Sequence, residues 1–211
     1  MSVAVTASVV ESSPKRAAIL DAAAELFLAQ GYASVSMDAV AKAAAVSKAT
    51  LYAYFSGKDA LFGAIVAERC AAITAEAEAL LSADALPEQA LRQAARVWLK
   101  FLLSPHTLAI YRTVVAEGPR FPDLARTFQA AGPSTGRAWL TRLLREEQRL
   151  GLLRADMDPE AAAGQLGALM RGDLHLRAML GAVPPSDEEV AAAADAAVAM
   201  FIRAYGVPRE P

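Results

Sequence analysis

"SMDAVAKAAAVSKATLYAYFSGKDALF", residues 36–62, decides the fold. Ser36 and Ser47 each stand directly before a run of helix formers. A serine there accepts a hydrogen bond from one of the unpaired N–H groups of the first helical turn. The pattern predicts a short helix over Met37–Ala44 and another over Lys48–Phe55, closed by Ser56 and Gly57. A longer helix then opens at Lys58 and runs to about Leu81. Val40 and Ala41 face inward, and the small Ala41 lets the next helix come close. Val46 fills the angle between the two helices. Leu51 and Phe55, four residues apart, share one face and pack back onto Val40 and the preceding helix. Two short helices crossing through a tight turn form a helix-turn-helix.

With Leu51 and Phe55 inside, Lys48, Ala49, Tyr52 and Ala53 face outward, flanked by Thr50 and Tyr54. A helix face with a cation, small residues and hydroxyl donors fits the major groove of duplex DNA. Ala49 and Ala53 permit close approach and can touch thymine methyl groups. The Thr50, Tyr52 and Tyr54 hydroxyls can donate to phosphate oxygens, which fixes register without reading sequence. Ser36, with Met37 beside it, and Ser47 set helix N-termini toward phosphates. Lys58, Lys15 and Arg16 are expected to add phosphate contacts from neighbouring helix starts. The plainer alternative makes Tyr52 and Tyr54 half-buried packing residues with wet hydroxyls.

Composition neither forces nor forbids this reading. The 211 residues carry 21 basic and 23 acidic side chains, a formal net charge of −2, so any nucleic-acid contact must rest on local placement. Hydrophobic residues make up 55% and the mean hydropathy is +0.28, as expected of a folded water-soluble protein. Cys70 is the single cysteine, so no internal disulfide forms and a reducing cytoplasm is the expected setting. Residues 1–13 lack a basic start before their apolar part and are expected to be a disordered tail rather than a signal peptide. No apolar run reaches the ~18 residues of a membrane span. His106, His175 and Cys70 are too scattered for zinc, and no GxSxG or phosphate-cradling glycine loop occurs. Neither an enzyme activity nor a cofactor or metal is therefore expected. An enzyme and a helical adaptor that never touches DNA are the rival classes; salt-dependent binding to a palindromic duplex separates the adaptor.

Prolines and glycines punctuate the rest into helices. The first is expected over Pro14–Gln30, with Gly31 after it. Beyond residue 81, Pro87, Pro105, Pro133 and Pro159 open helices, as Asp187 does after Pro184-Pro185. Another covers Phe121–Ala131. The expected architecture is all-α, with nine or ten helices. A three-helix DNA-binding domain spans residues 14–60 and a larger helical domain residues 61–211.

Residues 19–62 resemble the DNA-binding domain of the TetR family of transcriptional regulators. The likeness is carried by Phe27 then Gly31-Tyr32, Ser36, Val40-Ala41, Val46-Ser47, Thr50-Leu51-Tyr52, Tyr54-Phe55, and Lys58 before Leu61-Phe62. It implies a homodimer on a palindromic operator, usually a repressor, and a second domain that holds a small-molecule effector. Trp98, Phe101, Tyr111, Phe128, Trp139, Met170 and His175 are the candidate pocket residues. Taken individually, each aromatic is more simply read as plain core than as pocket wall. His175 is more simply a hydrogen-bonded structural histidine, and more sharply a polar anchor for the effector. Gly164, Ala168, Val190, Ala194, Ala197 and Phe201 are the candidate dimer contacts, in two long helices with small residues at helical spacing. Two departures stand out. Ala45 occupies a turn position usually held by glycine, and the outward face lacks arginine and glutamine for bidentate base contacts.

Overall fold

The structure is a computed structural model that describes residues 13–80, 87–181 and 184–207. The expected N-terminal tail lies, apart from Ser13, outside the described residues, as does Leu81. Ten helices follow one another among the described residues: α1 (Pro14–Gln30), α2 (Met37–Ala43), α3 (Lys48–Tyr54), α4 (Lys58–Leu80), α5 (Pro87–Leu102), α6 (Pro105–Glu117), α7 (Pro122–Ala131), α8 (Pro133–Arg149), α9 (Pro159–Met179) and α10 (Asp187–Tyr205). The chain divides into two compact units between Ile65 and Val66, inside α4.

In the first unit, Ser36 Oγ accepts from the Ala39 N–H at 3.1 Å and Ser47 Oγ from the Thr50 N–H at 3.0 Å. Both expected caps thus fix their helix starts. The turn between α2 and α3 closes by two backbone bonds, Val46 N–H to Ala41 O at 3.0 Å and Ala45 N–H to Lys42 O at 3.2 Å. That pair is a Schellman ending, which places its turn residue in the left-handed region. Ala45 sits there, with φ of 52°. Ile19, Ala23, Phe27, Val40 and Leu51 are buried together with Phe55 and Leu61. Phe27, Tyr32 and Phe62 form a ring cluster with centroids 5.5–5.6 Å apart. Edge and face contacts of this kind add to simple area burial.

The second unit has one continuous apolar core drawn from α4, α5, α6, α8, α9 and α10. Leu99, Leu144, Leu166, Ala194 and Val198 are fully enclosed in it. Ion pairs along the α5–α10 seam, Arg96 with Asp195 and Lys100 Nζ with Asp187 at 3.0 Å, hold the register from outside. Ser186 and Glu189 make a reciprocal capping box at the start of α10. At its end, Arg154 N–H donates to Tyr205 O at 2.8 Å and Val207 N–H to Leu152 O at 3.1 Å.

Two expectations need correction. Asp158–Gly181 reads as one helix, but Gly172 breaks α9 with φ of 38° and ψ of −145°. The dimer contacts fare worse. Val190, Ala194, Ala197 and Phe201 are only 6%, 0%, 6% and 1% exposed, enclosed by their own chain in the core. The apolar stripe of α10 meets α5 and α9 of the same protomer, so it cannot also meet a partner. Gly164 is half-buried, against the Arg137 guanidinium. Of the six, Ala168 alone is exposed.

Candidate nucleic-acid interface and helical cavity

α3 is held by its buried face. Leu51 is 0% and Phe55 is 5% exposed, whereas Tyr52 and Tyr54 are 45% and 40% exposed. Lys48, Ala49 and Ala53 are exposed as well, and Thr50 is half-buried. The four-residue spacing of Leu51 and Phe55 fixes the rotation of the rod, so the polar and small side chains must point to solvent.

Each outward group has a defined neighbour. Lys48 Nζ pairs with Asp38 at 2.8 Å, with both side chains mostly in water, and the carboxylate's hydrogen bond raises the ammonium pKa above its ordinary value. Ser47 and Thr50 share a hydroxyl hydrogen bond at 2.8 Å. Tyr54 Oη donates to Ser13 Oγ at 3.0 Å, at the start of α1. Lys15 is exposed beside it, and the Arg16 guanidinium lies 5.7 Å over the Phe55 ring. Ser36 is exposed and Met37 half-buried at the start of α2. These residues gather around the outward edge of α3.

Lys58 departs from expectation. Its ammonium donates to the carbonyls of Tyr32 at 2.7 Å, Val35 at 3.0 Å and Ala33 at 3.3 Å. It also sits 4.3 Å over the Tyr32 ring. An ammonium has three N–H donors, and all three are committed to the α1–α2 loop. Lys58 clasps that loop instead of reaching toward phosphate.

The second unit contains a cavity of about 300 Å³, walled by α4 to α9. Trp98, Phe101, Tyr111, Phe128, Trp139, Met170 and His175 all stand on its wall. Small residues make the room: Gly132 and Gly136 on α8's side, and Ala163, Gly164 and Gly167 on α9. A side-chain carbon at Gly136 would press on the Trp98 ring at 3.2 Å. The His175 ring packs edge-on against Tyr111, centroids 5.3 Å apart, and among the described residues it makes no hydrogen bond. Burial, and then the nearby Arg171, hold its pKa below the ordinary histidine value. Cys70 also lines the wall, with burial pushing its thiol up to about 11, so it stays protonated. The wall further includes Arg69, Arg137 and Arg171, which the sequence reading missed. Charged residues on amphipathic helices read as solvated surface, and nothing local marks which of them border a void.

Comparisons with known proteins agree with this division. The family model described as "Bacterial regulatory proteins, tetR family" matches residues 19–65. The model for the "AefR-like transcriptional repressor, C-terminal domain" matches residues 89–207, more than half of the chain. The transcriptional regulator AcuR of Cereibacter sphaeroides is 32% identical over 177 residues, 79% of this chain and 80% of that one. The regulator UidR of Escherichia coli is 46% identical over 56 residues; that match spans 26% of this chain and 29% of UidR's own length. The solved structure of the flavonoid-responsive regulator FrrA superposes with a TM-score of 0.73 at 37% identity, covering 93% of this chain and 98% of that one.

Proposed function

Because this chain belongs to the TetR family of transcriptional regulators, we propose that it is a dimeric repressor that leaves a palindromic operator when a small apolar effector fills its cavity. Its place among DNA-binding helix-turn-helix regulators is the premise; operator, effector and dimer surface are the reading. The observation that carries it is the two-sided α3, anchored by buried Leu51 and Phe55 and offering Lys48, Ala49, Thr50, Tyr52, Ala53 and Tyr54 to solvent. Ser36, Met37, Ser47, Lys15 and Arg16 support the same edge.

Lys48 and the hydroxyls supply phosphate contacts, and the two alanines supply close approach to base methyls. Without arginine or glutamine on the face, discrimination leans on methyl contacts and DNA shape. On binding, phosphate replaces Asp38 as the partner of Lys48.

A palindromic operator needs a two-fold protein, with recognition helices set about 34 Å apart. The exposed sides of α9 and α10 offer the surface. Gln165 pairs with Tyr205 and Arg177 with Glu189, so the two helices run antiparallel. That register brings Ala168 and Leu169 level with Met200, and all three are exposed. The effector site is the cavity, whose aromatic wall suits a planar apolar molecule. Its volume of about 300 Å³ is at the small end for such sites. Effector binding lowers operator affinity only if the ligand prefers the conformation with the wrong helix spacing.

The test is selection of bound genomic fragments by the purified protein, followed by salt titration on the selected duplex. Affinity should fall steeply with salt. Lys48→Ala and Tyr54→Phe should each weaken binding, by about threefold to thirtyfold, with the fold intact. If neither variant changes affinity, the interface is misplaced.

A further inference from the structure

The cavity wall is unbalanced in charge. Arg69 from α4, Arg137 from α8 and Arg171 from α9 border it, and among the described residues no Asp or Glu does. On the same helices, Arg142 faces Glu78, Arg149 pairs with Glu146, and Arg177 with Asp173 and Glu189. Arg69, Arg137 and Arg171 enter no ion pair among the described residues. Three cations grouped around an apolar void repel one another and attract an anion.

Their placement is ordered. A side chain at Gly164 would lie 3.4 Å from the Arg137 guanidinium, so that head group rests against α9 where α9 has no side chain. Arg171 follows two turns along the same face of α9. Arg69 and Arg137 are exposed and Arg171 is half-buried, whereas Trp98 and Trp139 are buried. Exposed residues that border a cavity stand at its opening, so the cations rim an aromatic interior. The nearby histidines register the unneutralised charge. His106 is held below its ordinary pKa by burial and then Arg69, and His175 by burial and then Arg171. The interior also holds a donor without an acceptor. The Trp98 indole N–H is buried and unpartnered among the described residues, whereas that of Trp139 donates to Glu78 at 3.0 Å.

We propose that the effector is an organic acid: an apolar, largely aromatic body seated against Trp98, Tyr111 and Trp139, with its carboxylate among Arg69, Arg137 and Arg171. This rests on the cavity being the effector site. A cationic molecule finds no counter-charge on the wall, and a neutral one leaves the arginines to water.

Both tryptophans of the chain line the cavity, so their fluorescence reports its occupancy directly and without DNA. The experiment titrates the full chain with 4-phenylbutanoate, 4-phenylbutanamide and 4-phenylbutylamine, which share one body and differ in charge. The acid should bind about tenfold tighter than the amide, and the amine weakest. The preference should shrink as added salt shortens the Debye length from about 10 Å to about 3 Å. The Arg137→Gln and Arg171→Gln double variant should bind acid and amide alike while keeping the wild-type affinity for the amide. Arg69→Gln, at an exposed position, gives a second route if the double variant melts early. Equal binding of the three compounds, or preference for the amine, overturns the charge assignment and leaves the cavity reading intact. A fluorescence response to none of them overturns the cavity as an effector site, and this inference with it, while operator binding still stands on its own assay.

Discussion

Ala45 illustrates how much a single backbone angle can cost. It lies in the left-handed region because the Schellman bonds of the turn require it, yet it carries a Cβ. A non-glycine residue there is strained by about 1–2 kcal/mol, while glycine loses about 0.5–1 kcal/mol more chain entropy on folding. Ala45→Gly should therefore raise stability modestly, by about 0.5–1 kcal/mol, read as a shift in the denaturant midpoint with an unchanged slope. The motif pattern flagged this position correctly. Lys58 shows the opposite case. From its place at a helix start it reads as a phosphate ligand, but its long stem carries the ammonium back to carbonyls 23–26 residues earlier. Lys58→Met should destabilise the first unit by about 1.5–3 kcal/mol, the loss of hydrogen bonds from a charged donor. Operator affinity per folded molecule should hardly change. A large loss of affinity in a stably folded variant would return Lys58 to the DNA interface.

Helices are the scale at which local rules speak most clearly. Proline at the first turn opens α1, α6, α7, α8 and α9, and serine caps α2, α3, α6 and α10. The expected starts therefore match closely. The capping box of α10 also sets a pH dependence. Glu189 accepts from the Ser186 N–H and pairs with Arg177, and these hold its carboxyl below the ordinary value of 4.5. A depressed folded-state pKa means the contribution is complete above the unfolded-state pKa and is lost as pH falls through the lower, folded one. The melting temperature of the wild type should thus fall faster than that of Glu189→Gln below about pH 4.5, and the two curves should converge in acid. Parallel curves would remove Glu189 from the acid response. The break at Gly172 was not legible, because a lone glycine inside a helical pattern is usually tolerated. Here it takes φ of 38°, next to the wall residues Met170, Arg171 and His175.

At the level of the molecule, the proposed function needs two copies, and the surface proposed to join them is the exposed sides of α9 and α10. Met200 is 56% and Leu176 is 58% exposed, large apolar side chains whose burial a partner would reward. Met200→Asp should turn the dimer into a monomer by light scattering and weaken operator binding by about a hundredfold or more, since one half-site then binds alone. A dimer that survives this charge would move the interface elsewhere. The sequence by itself determined the helical class, the helix starts, the helix-turn-helix and the outward face of α3. All of these follow from spacings of a few residues, where side-chain direction is dictated by the helix itself. Only the tertiary structure decided which face of α10 meets its own chain, that Lys58 is a clasp, and that Arg69, Arg137 and Arg171 rim one void. Those facts depend on which helices meet across long stretches of chain, and no local period of hydrophobicity distinguishes a stripe that packs inside a protomer from one that packs between two.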